Sequence, residues 1–320
     1  MLTSIAAPAP VRSPRPAYRP FEVSVARVTR LSRNFLRITF VGDDLDQFGA
    51  DCLDQRIKVV LPLEGHGFSD LSGDDGGADW YTRWRALPDA ERNPLRTYTS
   101  RAVRPAVREV DIDFVCHGDT GPATRWASTA RVGDPLMLIG PDALSETRGA
   151  GIEWRPGAAE LLLLAGDETA APAICGILES LPATARGSAF LEVPSSDDVL
   201  HVRLPIGMTL TWLPRNGAPH GSLLADALRC WADTSGVAER GTRRSAVERP
   251  STVDADAPEL NADAPLWETP ARTPGSSLYA WLAGEAECIK RLRRFLVSEI
   301  GLDRSQVAFM GYWRAGRAEN

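Results

Sequence analysis

The hydrophobic period of this chain changes once, near Pro141, and that change limits what each half can fold into. Before it, apolar residues alternate with polar ones over short runs: Phe21, Val23 and Val25 in FEVSVARV, then Phe35, Ile38 and Phe40 in FLRITFVG. A period of two marks half-buried strands. RIKVVLPL, RTYTSRAV, VDIDFVC and PLMLIGP follow, giving about six strands and predicting a small antiparallel barrel. One long excursion interrupts them from Glu64 to about Asn93, where SGDDGGAD is followed by WYTRWRALPDAERNP; it is expected to cap one end of the barrel.

After ALSETRGAGIEWRPGAAE, read as a hinge-like joint, strands alternate with helices. ELLLLAG leads to a helix from about Thr169 to Leu181, SAFLEV and TLTWLP to one from about Gly221 to Trp231, and SLYAWLAG to EAECIKRLRRFLVSEI before the last strand, QVAFMGYW. That order predicts a parallel sheet. In the last helix Ile289, Leu292, Leu296 and Ile300 form one apolar stripe. The expected organisation is an extended segment over 1–20, an antiparallel β-barrel domain over 21–150, and an α/β domain over 151–320. The second domain carries a long insertion without clear period at about 232–274. Two such domains leave a cleft between them, where cofactors bind.

Composition narrows the function. Lys+Arg total 36 against 42 Asp+Glu, a net charge of −6 that offers no global attraction to nucleic acid or to a membrane surface. Any anion site has to be local. The five cysteines lie far apart with no CxxC, so they are read as reduced, mostly buried thiols and no protein metal site is expected. Prolines interrupt the first twenty residues where a signal peptide would be continuously apolar, and no segment approaches ~20 apolar residues, so a cytoplasmic protein is expected.

Three segments carry chemistry. Arg96-Thr97-Tyr98-Thr99 opens a strand, so Arg96 and Tyr98 share one face and Thr97 and Thr99 the other. The guanidinium suits a phosphate and the phenol a flat ring and its hydroxylated chain. An arginine packed on a tyrosine at a surface strand would read the same. The second segment, His117-Gly118-Asp119-Thr120-Gly121-Pro122-Ala123-Thr124-Arg125-Trp126-Ala127, runs from a strand end through two glycines into a helix start. The N–H groups of Ala123 and Thr124 would point outward there, which is how a pyrophosphate is held. The third, Gly166-Asp167-Glu168-Thr169-Ala170-Ala171-Pro172, is the first turn after ELLLLA, where a dinucleotide domain places its phosphate-facing loop. It lacks GxGxxG and carries two acids, so a plain strand-to-helix junction fits it too.

Together these segments resemble the siderophore-interacting protein family, flavin-dependent ferric-siderophore reductases related to ferredoxin reductases. The likeness spans almost the whole chain and includes DWYTRWRALPDAERNPLRTYT, WLAGE at Trp281 to Glu285 and GYWRAGR at Gly311 to Arg317. It implies an FAD-binding β-barrel followed by a parallel-sheet NAD(P)H-binding domain. It also implies hydride transfer to FAD followed by single-electron transfer to chelated Fe(III). Arg96, Thr97, Tyr98 and Thr99 would lie at the flavin. His117, Gly121, Pro122, Ala123 and Thr124 would surround its pyrophosphate or adenosine side, with Trp126 packing nearby. Asp167, Glu168 and Thr169 would lie at the NADH or NADPH site; no 2′-phosphate clamp follows Glu192. The substrate would be a ferric siderophore, often anionic, met by Lys58, Arg125, Arg291, Arg293 and Arg294. A monomer is expected. His117 is read as a flavin contact rather than an acid or base. Asp111 and Asp113 are read as facing water, and Trp80, Trp84 and Trp126 as packing residues. The insertion departs from the family pattern. Two rivals stay open: a ferric-siderophore binding or storage protein with structural FAD, and a general flavin-linked electron-transfer reductase.

Overall fold

The computed structural model describes residues 15–71, 79–116, 121–147, 149–236, 267–270 and 278–316. His117, the tip of the first excursion and most of the expected insertion fall outside them.

The N-terminal half is one curled antiparallel sheet. Its strands are β1 (Tyr18–Arg30), β2 (Phe35–Val41), β3 (Arg56–Val60), β4 (Leu95–Thr99), β5 (Ala102–Arg104), β6 (Glu109–Val115) and β7 (Pro135–Pro141), in the order β4-β3-β7-β1-β2-β6-β5. The thirteen-residue β1 serves two neighbours, pairing with β7 over Tyr18–Ser24 and with β2 over Ser24–Arg30. A bulge between Val25 and Arg27 bends it from one to the other and curls the sheet. Alternate residues fill the inside: Phe21, Val23, Val25, Ile38, Phe40, Ile57, Val59, Ile112, Phe114 and Leu138 form one buried cluster.

Four expectations need correction. Seven strands form instead of six, because RTYTSRAV breaks at Ser100–Arg101: the Ser100 N–H turns to Gln55 O and the Arg101 N–H to Asp111 O. The lead-in becomes strand at Tyr18, and Arg15 before it holds the buried carboxylate of Asp142 at 2.9 Å. The excursion, with helix α1 (Trp80–Ala86), packs Trp80, Trp84 and Leu87 on Val60, Leu95, Met137 and Ile139, the face opposite the inner cluster, rather than on a barrel end. Asn93 ties it down, donating to Leu61 O and Gly67 O and accepting from Ser69 N. Finally, Asp111 and Asp113 are buried. Arg37 forks onto Asp113 at 2.7 and 2.8 Å and Arg104 onto Asp111 at 2.6 and 2.8 Å, so neighbouring arginines cover the face expected to meet water.

The C-terminal half is a six-stranded sheet of β8 (Leu161–Gly166), β9 (Arg186–Val193), β10 (Gly207–Pro214), β11 (Trp267–Glu268), β12 (Leu278–Glu285) and β13 (Val307–Trp313). Its order is β10-β9-β8-β12-β13-β11, parallel except for β11. Both faces are covered, so its central strands are apolar throughout. On β12, Tyr279, Trp281 and Ala283 meet α3 (Ala171–Ser180), while Leu278, Ala280 and Leu282 meet α4 (Ser222–Ser235) and α5 (Ala286–Arg293). Ile289, Leu292, Leu296 and Ile300 are all buried as expected, although the helix widens into π-helical turns over Arg294–Glu299. The stretch expected to be an insertion contributes the end of α4 and the short β11; its residues 237–266 and 271–274 lie outside the described residues.

The two sheets are bolted together by buried carboxylates. Asp198 accepts from Ser32 Oγ at 2.7 Å, Asn34 N at 2.9 Å and Asn34 Nδ2 at 2.8 Å, all in the β1–β2 turn. Asp54 accepts from Glu153 N, Trp154 N and the Trp281 indole. The segment expected to be a hinge is thus held from both sides. Asp198→Ala leaves several buried donors without an acceptor and should cost about 3 kcal/mol, since hydrogen bonds to charged groups contribute ~1.5–3 each. In a thermal melt that is a drop of roughly 4–5 °C for a chain of this length; a shift below one degree would show that this contact holds nothing.

Candidate functional site

β4 is a free edge of its sheet, so alternate backbone groups along it are open to a ligand. Arg96 and Tyr98 share a face. The Tyr98 ring leans on Phe114 with centroids 4.5 Å apart. Arg96 is half-buried, its Nη1 donates to Leu95 O at 2.6 Å, and among the described residues no carboxylate lies within 4 Å of it. Arg27, Arg37, Arg56, Arg101 and Arg104 are each paired with one. A half-buried guanidinium without a counter-ion on an open edge calls for an anion.

The second motif comes to the same place. Gly121 is extended and caps α2 (Pro122–Thr129), with Pro122 as the first helical residue. A Cβ added to Gly121 would meet nothing within 4 Å among the described residues, so they leave that side of the helix start open. Ala123 and Ala127 seat the helix in the inner cluster, Thr124 is half-buried and Arg125 exposed. Trp126 packs, stacking on Phe40 at 6.2 Å and meeting Phe114 at 6.1 Å. Phe114 therefore touches both Tyr98 and Trp126 and joins two motifs that the sequence keeps apart. A flat-ring wall, an uncompensated guanidinium and an open helix start fit a flavin nucleotide with its diphosphate.

Thr97 and Thr99 turn the other way. Thr99 is buried, and Thr97 Oγ1 accepts the Lys58 ammonium at 2.7 Å. Lys58, Thr97, Arg56, Tyr18 and Trp80 line a cavity of about 250 Å3. Arg56 is stacked over Trp267 at 4.1 Å and paired with Glu153 at 2.9 Å. The α5 arginines divide: Arg293 is paired with Glu268 at 2.9 Å, while Arg291 and Arg294 are exposed, Arg291 near the start of α4.

The third motif ends β8 where the strand order reverses between β8 and β12, the point at which open α/β sheets bind ligands. Here the acids are spent within the protein. Asp167 accepts from Thr169 N, Thr169 Oγ1, Glu285 N at 2.7 Å and Trp313 Nε1 at 2.9 Å. Glu168 takes a two-pronged bond from Arg215, 2.7 Å on each prong. His220, in the turn before α4, sets its Nε2 3.4 Å from Asp167 and 3.8 Å from Glu168, edge-on to Trp313. Burial opposes the charge on Glu168, yet the bonds from Arg215 and the neighbouring His220 hold the carboxyl down to about 2. Burial likewise works against imidazolium at His220, and the two carboxylates overcome it, raising it to about 10.

Arg215, His220 and Trp313 escape sequence reasoning, as does Asp54. Trp313 lies within GYWRAGR but drew no role there, Arg215 and His220 come from the plain turn between β10 and α4, and Asp54 stands near no motif. Glu192, where a ribose-binding acid would be sought, is fully buried and caps α4 through Gly221 N at 2.6 Å and Leu224 N at 2.9 Å. The five cysteines are free: Cys175 and Cys288 are buried, Cys52 and Cys116 half-buried and Cys230 exposed, fewer buried than expected. No helix among the described residues is long and apolar enough to cross a membrane.

Comparison with known proteins agrees with this geometry. Residues 24–145 match the siderophore-interacting FAD-binding domain, and residues 159–316 match the siderophore-interacting protein model. The chain is 30% identical to the ferric vibriobactin reductase ViuB of Vibrio cholerae over 292 residues, 90% of this chain and 87% of the relative. A siderophore utilization protein from T. fusca superposes with a TM-score of 0.69 at 29% identity, covering 94% of this chain and 95% of that one. The ferredoxin reductase in carbazole 1,9a-dioxygenase shares the fold, with a TM-score of 0.53 at 14% identity over 92% of this chain and 70% of that one.

The His220 network sets a pH dependence. A histidine raised from 6.5 to about 10 on folding contributes stability fully below 6.5, and the contribution is lost as pH rises through about 10. Glu168, lowered from 4.5 to about 2, contributes above 4.5 and loses its share as pH falls toward 2. The melting temperature of the native chain should therefore exceed that of His220→Gln most clearly between pH 4.5 and 6.5, with the gap closing toward pH 10. A gap independent of pH would mean the imidazole is not held charged.

Proposed function

This chain belongs to the siderophore-interacting protein family, and on that footing we propose that it is an FAD-dependent reductase of ferric siderophores supplied with electrons by NADH or NADPH. The observation that carries the proposal is the half-buried Arg96 without a counter-ion among the described residues, beside Tyr98 and joined through Phe114 to the start of α2. Bound there, FAD would accept two electrons together and release them singly, the conversion a one-electron acceptor such as Fe(III) requires.

The protein's own residues have three tasks. Arg96 and the start of α2 would neutralise the diphosphate, and Tyr98 would set the plane of the flavin ring. The joined sheets would keep the reducing end of the second domain facing the first. Lys58 and Arg125 would draw an anionic chelate toward the flavin; Arg56, which lines the Lys58 cavity, is already paired with Glu153. Arg293 serves this less well, being already paired with Glu268. Iron arrives inside its chelate as substrate, so the reaction calls for no metal ligand from the chain.

Anaerobic mixing tests the reading. The oxidised flavin band should bleach on adding NADH or NADPH, and return when a ferric siderophore is added. A carrier with structural FAD would stay oxidised, and a general flavin-linked reductase would reduce artificial acceptors with no preference for iron chelates. Arg96→Ala should weaken FAD binding about 30-fold, roughly 2 kcal/mol, in a flavin-fluorescence titration. Lys58→Glu should raise KM for a triply anionic ferric tris-catecholate about fivefold while leaving a neutral ferric trihydroxamate unchanged. Equal effects on both chelates would remove Lys58 from the docking surface.

A further inference from the structure

An edge strand offers a row of backbone donors and acceptors to any chain that can pair with it, and proteins that stay apart shorten the edge, bend it or charge it. The two sheets have four edges. β5 is three residues long and ends in Arg104, β11 is two residues long and ends in Glu268, and β4 carries Arg96 and follows Pro94. β10 has none of these protections. It is eight residues long and pairs only with β9 among the described strands. Its register runs unbroken from Gly207 opposite Arg186 to Pro214 opposite Val193, with no bulge. No charged residue interrupts Gly207–Pro214, and proline comes only at its end.

The chain that leads into β10 leaves it uncovered. β9 crosses to it through an extended segment rather than a helix: Leu200 and Val202 pack on the α3 side of the sheet, while Val199, Leu204 and Ile206 are exposed, Ile206 fully. Within the strand Leu210 and Trp212 also turn to the α3 side, and Thr209 and Thr211, which turn the other way, are exposed. Charge appears only at the two ends. Arg203 is exposed just before the strand begins. Asp197 is exposed beside its end, where Ser196 N donates to Asn216 Oδ1 at 3.3 Å. Neither makes an ion pair among the described residues.

We propose that β10 is an interface between two copies of this chain, paired antiparallel about a two-fold axis normal to the sheet, in place of the monomer expected from the sequence. Three features select a second copy over a foreign strand. The first is parity: such an axis keeps each face of the sheet with its like, so only residues on the same face meet. With the axis at Leu210, Thr209 stands opposite Thr211 of the other copy and Met208 opposite Trp212, pairs that support a strand ladder. The second is that an uncharged strand meets itself without like-charge repulsion. The third is the placement of the end charges. Antiparallel pairing brings the start of each strand to the end of the other, so Arg203 of each copy approaches Asp197 of the other. Ile206 would leave water in the same step, against the other copy's Pro214. Neither Arg96 nor Lys58 belongs to this edge, since both lie on the first sheet.

Sedimentation velocity of the full-length chain tests this from about 1 to about 100 μM, a span that covers interfaces of ordinary strength. The native chain should approach twice 34.7 kDa as its concentration rises. Thr209→Lys combined with Thr211→Lys charges the edge at two exposed positions and should leave a monomer. Arg203→Glu alone and Asp197→Arg alone should each weaken association about tenfold, and the two together should bring it back to within about threefold of the native chain. An unchanged circular dichroism spectrum shows that each variant is folded. A native chain that stays monomeric throughout the range overturns the inference, whatever else takes the edge. A dimer that survives both lysines overturns it as well, and so does a charge exchange that fails to restore association.

Discussion

A cleft between two sheets is a site only if the sheets cannot drift apart, and in this protein buried carboxylates prevent that. Asp54 accepts two backbone amides from the joint and the indole of Trp281, so one side chain holds the first sheet, the linker and the centre of the second. Burial pushes its carboxyl up, while the Trp281 and backbone donors work in the opposite direction. Asp198 does the same from the other side, gripping the β1–β2 turn. An ion pair between Arg101 and Glu179 at 2.8 Å adds a third tie. Each tie is polar and directional, so register as well as distance between the sheets is set.

That rigidity bears on chemistry carried by separate motifs. The Arg96 strand and the α2 start converge because Phe114 packs on both. The Asp167 turn lies on the other sheet, and its orientation toward the first depends on Asp54 and Trp281 from β12. Electron transfer between bound molecules falls off with distance, and orientation governs hydride transfer, so under the proposed function a fixed cleft would be a requirement. The stacking of Arg56 on Trp267 extends the same join toward the cavity beside Lys58.

Periodicity was enough to read the architecture and not the contacts across it. The change of period near Pro141 separates the two sheets because it follows from burial alone: one face of an antiparallel sheet alternates, whereas a doubly covered parallel strand such as β12 is apolar throughout. Alternation identifies a face without saying what lies over it. Asp111 and Asp113 fall on the polar face of β6, yet Arg37 from β2 and Arg104 from β5 close that face. The two-residue β11 is too short to have a period at all, and it pairs with β13 through neighbours that sequence order does not reveal. His220 is hidden for the same reason, since a turn such as GAPHGS announces only a turn.

The Asp167 turn shows how a dinucleotide-type sheet can keep its topology while changing the chemistry at its reversal point. A glycine-rich loop leaves amides free for phosphate; here Asp167 collects the donors of three strand ends into one carboxylate. Gly284 makes this possible. Its φ of +149° favours glycine, and a Cβ there would lie 2.6 Å from Asp167 Oδ2, so any larger residue would displace the hub. Holding Asp167 against β12 in this way also sets it 3.4 Å from the buried Nε2 of His220. The acids that make GDET look unsuited to a nucleotide are thus bound into the junction of three strand ends.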